Sequence, residues 1–488
     1  MSSTKPFPRI RAAAIDGRLS NIYYRRTQLE QLHDSLTQNA QAIRNAIVHD
    51  SRNTQAEAAI EYHLALSSLK EQYSSLDPTS ALEYEYRVEH GVDAPDRRER
   101  AGLVYIVPTV HTLFFSVISP LSAAIAAGNC VIVQLENNLR ELFSLLRKLL
   151  RAALDVDIFD IADGKPTDGE FLNQCIEVLQ VESIEPLRIN QIVSPAAERV
   201  VAIVDRTADL QEAAKALVTA RFSFGGRSPY APDTVLVNEF VKKNFLDAVV
   251  QQSIGFLTGR DGNVIGNGKP TRSQSRAGNL PKDIQEDGIR IVTSGSNGSI
   301  IDIEKRISAV LHSKIRQCCL PVCAVRSLDD AIDLANSNNS ILLASYVFAA
   351  PRPAKYLSQF IYSRAAFVNH IPTELLVGPA APLNHPTTSL PRYSVTLFSQ
   401  PRPHYVKPHP KDALLGKLLR ASDAKVLRQL EEHDTAGLLN RKERPLGGGL
   451  GFFEQGFIIG ATVLLTPLAV GLGVLSIYGY RAASSRWW

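Results

Sequence analysis

Two series of apolar strands, each interrupted by helices, constrain this chain more than any other feature. In the first, "AGLVYIVP" (101–108) and "CVIVQLE" (130–136) read as buried strands. "SPLSAAIAAGN" (119–129) and "NLRELFSLLRKLLRAAL" (138–154) read as helices after them. The second runs "RVVAIVD" (199–205), a helix over 208–223, "DTVLVN" (233–238), a helix over 239–257, then "LPVCAVRS", "LDDAIDLANS", "ILLASYVFAA" and "RAAFVNH" between 320 and 370. Near-continuous apolar strands alternating with helices imply an α/β fold with parallel sheets and right-handed crossovers. Residues 21–75 are helical in pattern, and "ALEYEYRVEHGV" (81–92) alternates like an exposed strand. Residues 258–299, rich in Gly, Asn, Ser and Lys, read as surface loop.

At 488 residues the chain has room for two or three domains, and 45% apolar against 21% charged residues fits a globular core. A net charge of +4 gives no argument for a nucleic-acid partner. Five cysteines suit a reducing compartment without a disulfide framework. Cys318, Cys319 and Cys323 in "CCLPVCAV" are expected on opposite faces of a strand as small buried groups. The histidines show no metal-binding spacing, so no metal site is expected. "GNGKPT" (266–271) is not a phosphate loop, because Pro270 stands at the Ser/Thr position. The start has no apolar signal region.

From Gly456 to Tyr480 no residue is charged. At about 1.5 Å per residue that run crosses a hydrocarbon core of about 30 Å. Arg441, Lys442 and Arg444 flank one side; Arg481, Arg486, Trp487 and Trp488 flank the other. The expectation is a single-pass C-terminal anchor in a lipid bilayer, with the main domain cytosolic. An amphipathic helix over 411–435 and a linker over 436–455 precede it.

"FSFGGRSPYAPD" (222–233) is a Gly-rich bend leading into a strand, yet its centre holds no strong nucleophile. Ser228 has no base close in sequence. Together with "SPLSAAIAAGNCVIVQ", "IVDRTADLQEAAKAL", "APDTVLVNEFVKKNFL" and "LPVCAVRSLDDAIDLANSNNSILLASYVFA", it resembles the aldehyde dehydrogenase superfamily over about residues 20–405. The apolar tail brings it closest to the membrane-anchored fatty aldehyde dehydrogenases and their fungal relatives. The resemblance implies a Rossmann-like cofactor domain at 1–190 that includes an arm strand at 81–92. It implies an α/β catalytic-type domain at 191–385 and an oligomerisation strand and connector at 386–410.

That family's chemistry needs a thiolate, a carboxylate base and an oxyanion-stabilising amide. The cysteine motif "NxGQxCxAPD" puts Pro229 at the nucleophile. "ELGGKSP" corresponds to "PAAERVV", with Pro195 at the base, and "PWNYP" to "PTVHT", with Val110 at the asparagine. On the cofactor side, "KPSE" puts Gln134 at the lysine, and "EEIFGPV" puts Lys314 at the glutamate and Arg316 at the phenylalanine. Asn369 stands where the family has its late asparagine. The resemblance therefore implies a membrane-tethered pseudoenzyme, acting as scaffold or partner subunit, with no cofactor expected. It would pair as a homodimer, or as a heterodimer with an active homologue. The alternative is an oxidoreductase using NAD or NADP to convert a long-chain or isoprenoid aldehyde to the acid.

Overall fold

In a computed structural model, the two sequence series form two separate sheets. The structure describes residues 6–181, 188–258, 288–337, 340–387, 392–408, 410–420, 424–435 and 452–484. The tract 266–271 lies outside them, as does most of the expected linker. Contacts divide the chain into two units, Met1–Lys407 and Pro408–Trp488.

In chain order the strands of the first unit begin with β1 (Arg98–Arg100), β2 (Leu103–Val107), β3 (Cys130–Gln134), β4 (Phe159–Ala162), β5 (Cys175–Leu179) and β6 (Gln191–Val193). Strands β2–β6 make a wholly parallel five-stranded sheet in the order β4-β3-β2-β5-β6. Next come β7 (Val200–Val204), β8 (Thr234–Asn238), β9 (Ile289–Gly295), β10 (Gly298–Ile303), β11 (Cys319–Val325), β12 (Ala344–Phe348) and β13 (Ala366–Val368). They form a seven-stranded sheet ordered β13-β12-β7-β8-β11-β10-β9, parallel except at the β9–β10 edge.

The central strands are buried along their whole length, or in β2 and β3 at all but the last residue, which is why they read as continuous apolar runs. The helix Leu113–Ala126 between β2 and β3 is buried at every position. Three N-terminal helices, Ile22–Gln38, Ala40–Ser51 and Gln55–Ser74, pack into the same core. The last of them starts at a capping box: Glu57 N donates to Thr54 Oγ1, and Thr54 N donates to Glu57 Oε2. A second core cluster fills the other face of the seven-stranded sheet. Cys319 and Cys323 belong to it, while Cys318 packs on the first, as the alternation of a strand requires.

Two expectations are corrected. Residues 81–92 are not an arm strand: Pro78–Tyr86 is a helix, followed by turn. Asp77 caps it through Thr79 N and Ser80 N, and Pro78 sits at its first turn. The two-stranded sheet is instead β1 paired antiparallel with β14 (Ser399–Pro401), Arg98 opposite Pro401. Within the expected loop at 258–299, residues 259–287 lie outside the described set. Residues Ile289–Gly295 and Gly298–Ile303 are a hairpin turning at Ser296–Asn297, and β9 is its exposed outer strand, hence its polar composition. Of the expected helix at 411–435, the described stretches Pro410–Arg420 and Ala424–Thr435 are helical, and residues 421–423 lie outside the described set.

In the second unit the apolar helix runs Phe452–Ser484, longer than 456–480 at both ends and taking in the end of the expected linker. Its segment Glu454–Arg481 is long and apolar enough to cross a membrane.

Candidate functional site

The bend at 222–233 follows the helix Leu210–Phe222, which Asp209 caps. Phe224, Gly225 and Gly226 all have positive φ, of 50°, 66° and 67°. At Gly226 a Cβ would lie 2.9 Å from the Gln317 carbonyl oxygen, so only glycine fits. Phe224 N donates to Glu57 Oε1 at 2.6 Å, pinning the bend to the N-terminal helices.

The far end of the bend is held by charge. Asp233 is fully buried and accepts from Val200 N (2.7 Å), Ile315 N (2.9 Å) and Lys314 Nζ (3.1 Å). Arg221 Nη1 lies 3.6 Å from the same carboxylate. Lys314 Nζ also donates to the Pro229 carbonyl oxygen at 2.6 Å. Burial pulls the Lys314 and Arg221 pKa values down, and Asp233 opposes that shift in both.

A cleft of about 560 Å³ opens beside Pro229 and brings together four of the residues singled out from sequence: Val110, Pro229, Lys314 and Arg316. Ala196, next to the buried Pro195, also lines it. Gln134 does not; it ends β3, where its Oε1 accepts from Tyr105 Oη at 2.8 Å. Ser228 lines the cleft, is 2% exposed, and its hydroxyl accepts from Tyr230 N at 3.3 Å. No cysteine or carboxylate lines the cleft among the described residues. Asn369 pairs instead with the backbone of Ala349, accepting from its N–H at 2.9 Å and donating to its carbonyl at 3.0 Å. Among the described residues no His/Cys/Asp/Glu group is arranged for a metal.

Sequence reasoning missed two titratable groups next door. A smaller cavity of about 190 Å³ shares Val110, His111 and Arg227 with the cleft, and Glu61 and Asn53 also line it. Glu61 is 1% exposed; its Oε1 accepts from Phe114 N at 2.9 Å at a helix start, and its Oε2 has no hydrogen-bond partner. Burial pushes its pKa up to about 8. His111 Nε2 bonds the Leu376 carbonyl oxygen at 2.9 Å, and burial pulls its pKa down to about 4. The available signal for Glu61 was an acid on the apolar stripe with Ala58 and Ala65. Among the described residues the arrangement offers cations, amide donors and a neutral imidazole, but no nucleophile with a base bonded to it.

The model of the aldehyde dehydrogenase family matches residues 199–373. The aldehyde dehydrogenase family 3 member B1 of Bos taurus is 26% identical over 375 residues, 70% of this chain and 77% of that one. Among solved structures, the substrate-bound AldH of Staphylococcus aureus superposes with a TM-score of 0.65 at 19% identity, covering 83% of this chain and 94% of that chain. A glyceraldehyde-3-phosphate dehydrogenase of Methanocaldococcus jannaschii, complexed with NADP, gives 0.61 at 14% identity over 82% and 92%. With two parallel sheets in this arrangement and relatives matching along more than two thirds of its length, the chain is similar to the aldehyde dehydrogenase superfamily in both sequence and fold.

Proposed function

We propose that this protein is a membrane-tethered aldehyde dehydrogenase-like pseudoenzyme, a scaffold or partner subunit that keeps the family's shape without its turnover. The observation that carries this reading is Pro229 at the turn of the bend, where the family motif has its cysteine. A proline has no group to attack a carbonyl, and the matched positions Pro195 and Val110 supply neither base nor amide. Ser228 does not replace the cysteine: among the described residues no His, Asp or Glu is hydrogen-bonded to its hydroxyl.

The dinucleotide fits poorly for the same kind of reason. Gln134 is spent on Tyr105, and Lys314 turns inward onto Pro229 and Asp233. Where such a cofactor binds it supplies the hydride acceptor; these side chains offer its riboses little. The apolar helix suits a bilayer anchor with the main unit cytosolic. The short β1–β14 sheet, marginal alone, suits pairing with a second subunit.

The test is NAD(P)H formation from medium- and long-chain aldehydes. Silence is expected, and turnover of about 1 per second or more, the ordinary enzyme range, overturns the reading. Pro229→Cys alone is expected to stay silent, because nucleophile, base and oxyanion partner act as a unit.

A further inference from the structure

The helical stretches Pro410–Arg420 and Ala424–Thr435 leave leucines open to solvent. Leu415, Leu418 and Leu419 fall at i, i+3 and i+4, which puts them on one face of the first stretch. Leu415 is 43% exposed and Leu419 89%, and Leu427 in the second stretch is 49% exposed. An apolar stripe of this kind on a short helix is a surface made to meet something apolar. Lys417 and Arg420 lie on the other face of the first stretch, both exposed, and Arg428 is exposed on the second.

Positive charge is concentrated in the same place. Residues 407–428 hold six lysines and arginines against two aspartates. That excess of four equals the net charge of +4 on the whole chain, so everything outside the segment sums to zero. Attraction to a charged surface follows the net charge within a Debye length, so it needs no single cation to be unpaired. Glu431, Glu432 and Asp434 turn the end of the second stretch acidic, which limits the basic, leucine-bearing surface to its first part. Both stretches share a unit with the apolar helix Phe452–Ser484, and residues 436–451 separate Thr435 from it. Fully extended, that segment spans at most about 60 Å, so a bilayer holding the helix is within reach.

We propose that Pro410–Arg420, with the start of Ala424–Thr435, lies in the surface of an anionic bilayer. Leu415, Leu418 and Leu419 enter the acyl boundary, and Lys417 and Arg420 extend to the phosphates and carboxylates of the headgroups. Alone, a contact of this size is marginal and reversible, comparable to a single acyl chain. The apolar helix holds it at high effective concentration, so the two contacts reinforce each other. The inference rests on the proposed membrane tether and adds to it a second contact, parallel to the surface.

The chain ended after Leu446 keeps both core clusters and both helical stretches without the apolar helix. It is sedimented with vesicles at millimolar lipid, either phosphatidylcholine alone or with about one quarter phosphatidylserine. Binding to the anionic vesicles is expected to be at least about tenfold tighter than to the neutral ones, and to be lost in about 1 M salt, where charges are screened within about 3 Å. Leu415→Gln/Leu419→Gln is expected to lose at least about tenfold; both leucines are exposed, so the fold is retained, as circular dichroism checks. Lys417→Gln/Arg420→Gln should also lose about tenfold. Equal binding to neutral vesicles overturns the role of charge, and undiminished binding by the leucine variant overturns the apolar contact. No vesicle binding at all overturns the proposal. Self-association in light scattering that the leucine variant abolishes, without vesicle binding, gives the face to a second copy instead. Carbonate-resistant pelleting of the full chain reads the tether by itself. Vesicle binding by the shortened chain without such pelleting ends the tether and keeps the surface contact; pelleting without vesicle binding does the reverse.

Discussion

Lys314 donates to the carbonyl oxygen of Pro229 at 2.6 Å, so the residue at the turn of the bend is held by a side chain from the segment leading into β11. The same ammonium reaches Asp233 at 3.1 Å. Lys314 is thus a brace across the bend, and its removal leaves the Asp233 carboxylate with Arg221 and two backbone N–H groups. Lys314→Met is expected to cost about 1–3 kcal/mol, below the loss for a buried ion with no other partner. Lys314→Glu sets two carboxylates together and should cost more. Urea midpoints of the two variants check the order; a Glu variant as stable as the Met variant would contradict the brace.

Glu61 makes stability depend on pH. Its folded pKa of about 8 lies above the ordinary carboxyl value of 4.5 because burial disfavours the charged form. The folded state therefore holds a proton that the unfolded chain releases. This contribution is complete below pH 4.5 and is lost as pH rises toward 8, by up to about 1.4 kcal/mol per pH unit. Glu61→Gln keeps an acceptor for Phe114 N and should flatten that decline. Denaturation midpoints between pH 5 and 9 provide the measurement.

His111 acts with the opposite sign on the acid side. Burial chiefly, with smaller pushes from Arg227 and Arg392, lowers its pKa from 6.5 to about 4. The unfolded chain takes up a proton first, so stability present above pH 6.5 is lost as pH falls toward 4. His111→Gln retains a donor for the Leu376 carbonyl and should make the chain less sensitive to acid over that window. An unchanged acid limb would mean that His111 is protonated in the folded state.

The parallel strands were legible because burial on both faces leaves an apolar run that needs no partner to be recognised. The helix Pro78–Tyr86 was not, because none of its residues is buried and no stripe of period 3.6 marks it. Leu82, Tyr84 and Tyr86 are exposed and mimic a strand's alternation, while the Asp77–Pro78 cap was the signal to weigh against it. At the site, positions 85 or more residues apart in sequence, Val110, Pro229 and Lys314, do meet in one cleft. What sequence could not convey is the direction of Lys314: whether it faces a ligand or turns inward depends on Asp233, a tertiary neighbour. Glu61 and His111 escaped for a similar reason, since only packing tells a buried titratable group from an exposed one.

The apolar helix Phe452–Ser484 is separable from the fold. Among the described residues neither core cluster includes one beyond Phe398, so both assemble within the first unit. Along the helix, Leu464, Leu465, Leu468 and Leu475 are each more than 60% exposed, a surface that water tolerates badly and a bilayer accommodates. Ending the chain after Leu446 removes that surface and takes no side chain from either core. The truncated protein is expected in the supernatant after ultracentrifugation, with an unfolding midpoint within about 2 °C of the full chain, since surface changes of this kind shift stability little. Pelleting that survives high salt and carbonate would place the membrane contact elsewhere. The same preparation in light scattering reads its assembly: a monomer at micromolar concentration removes the proposed pairing through β1 and β14, and a dimer supports it.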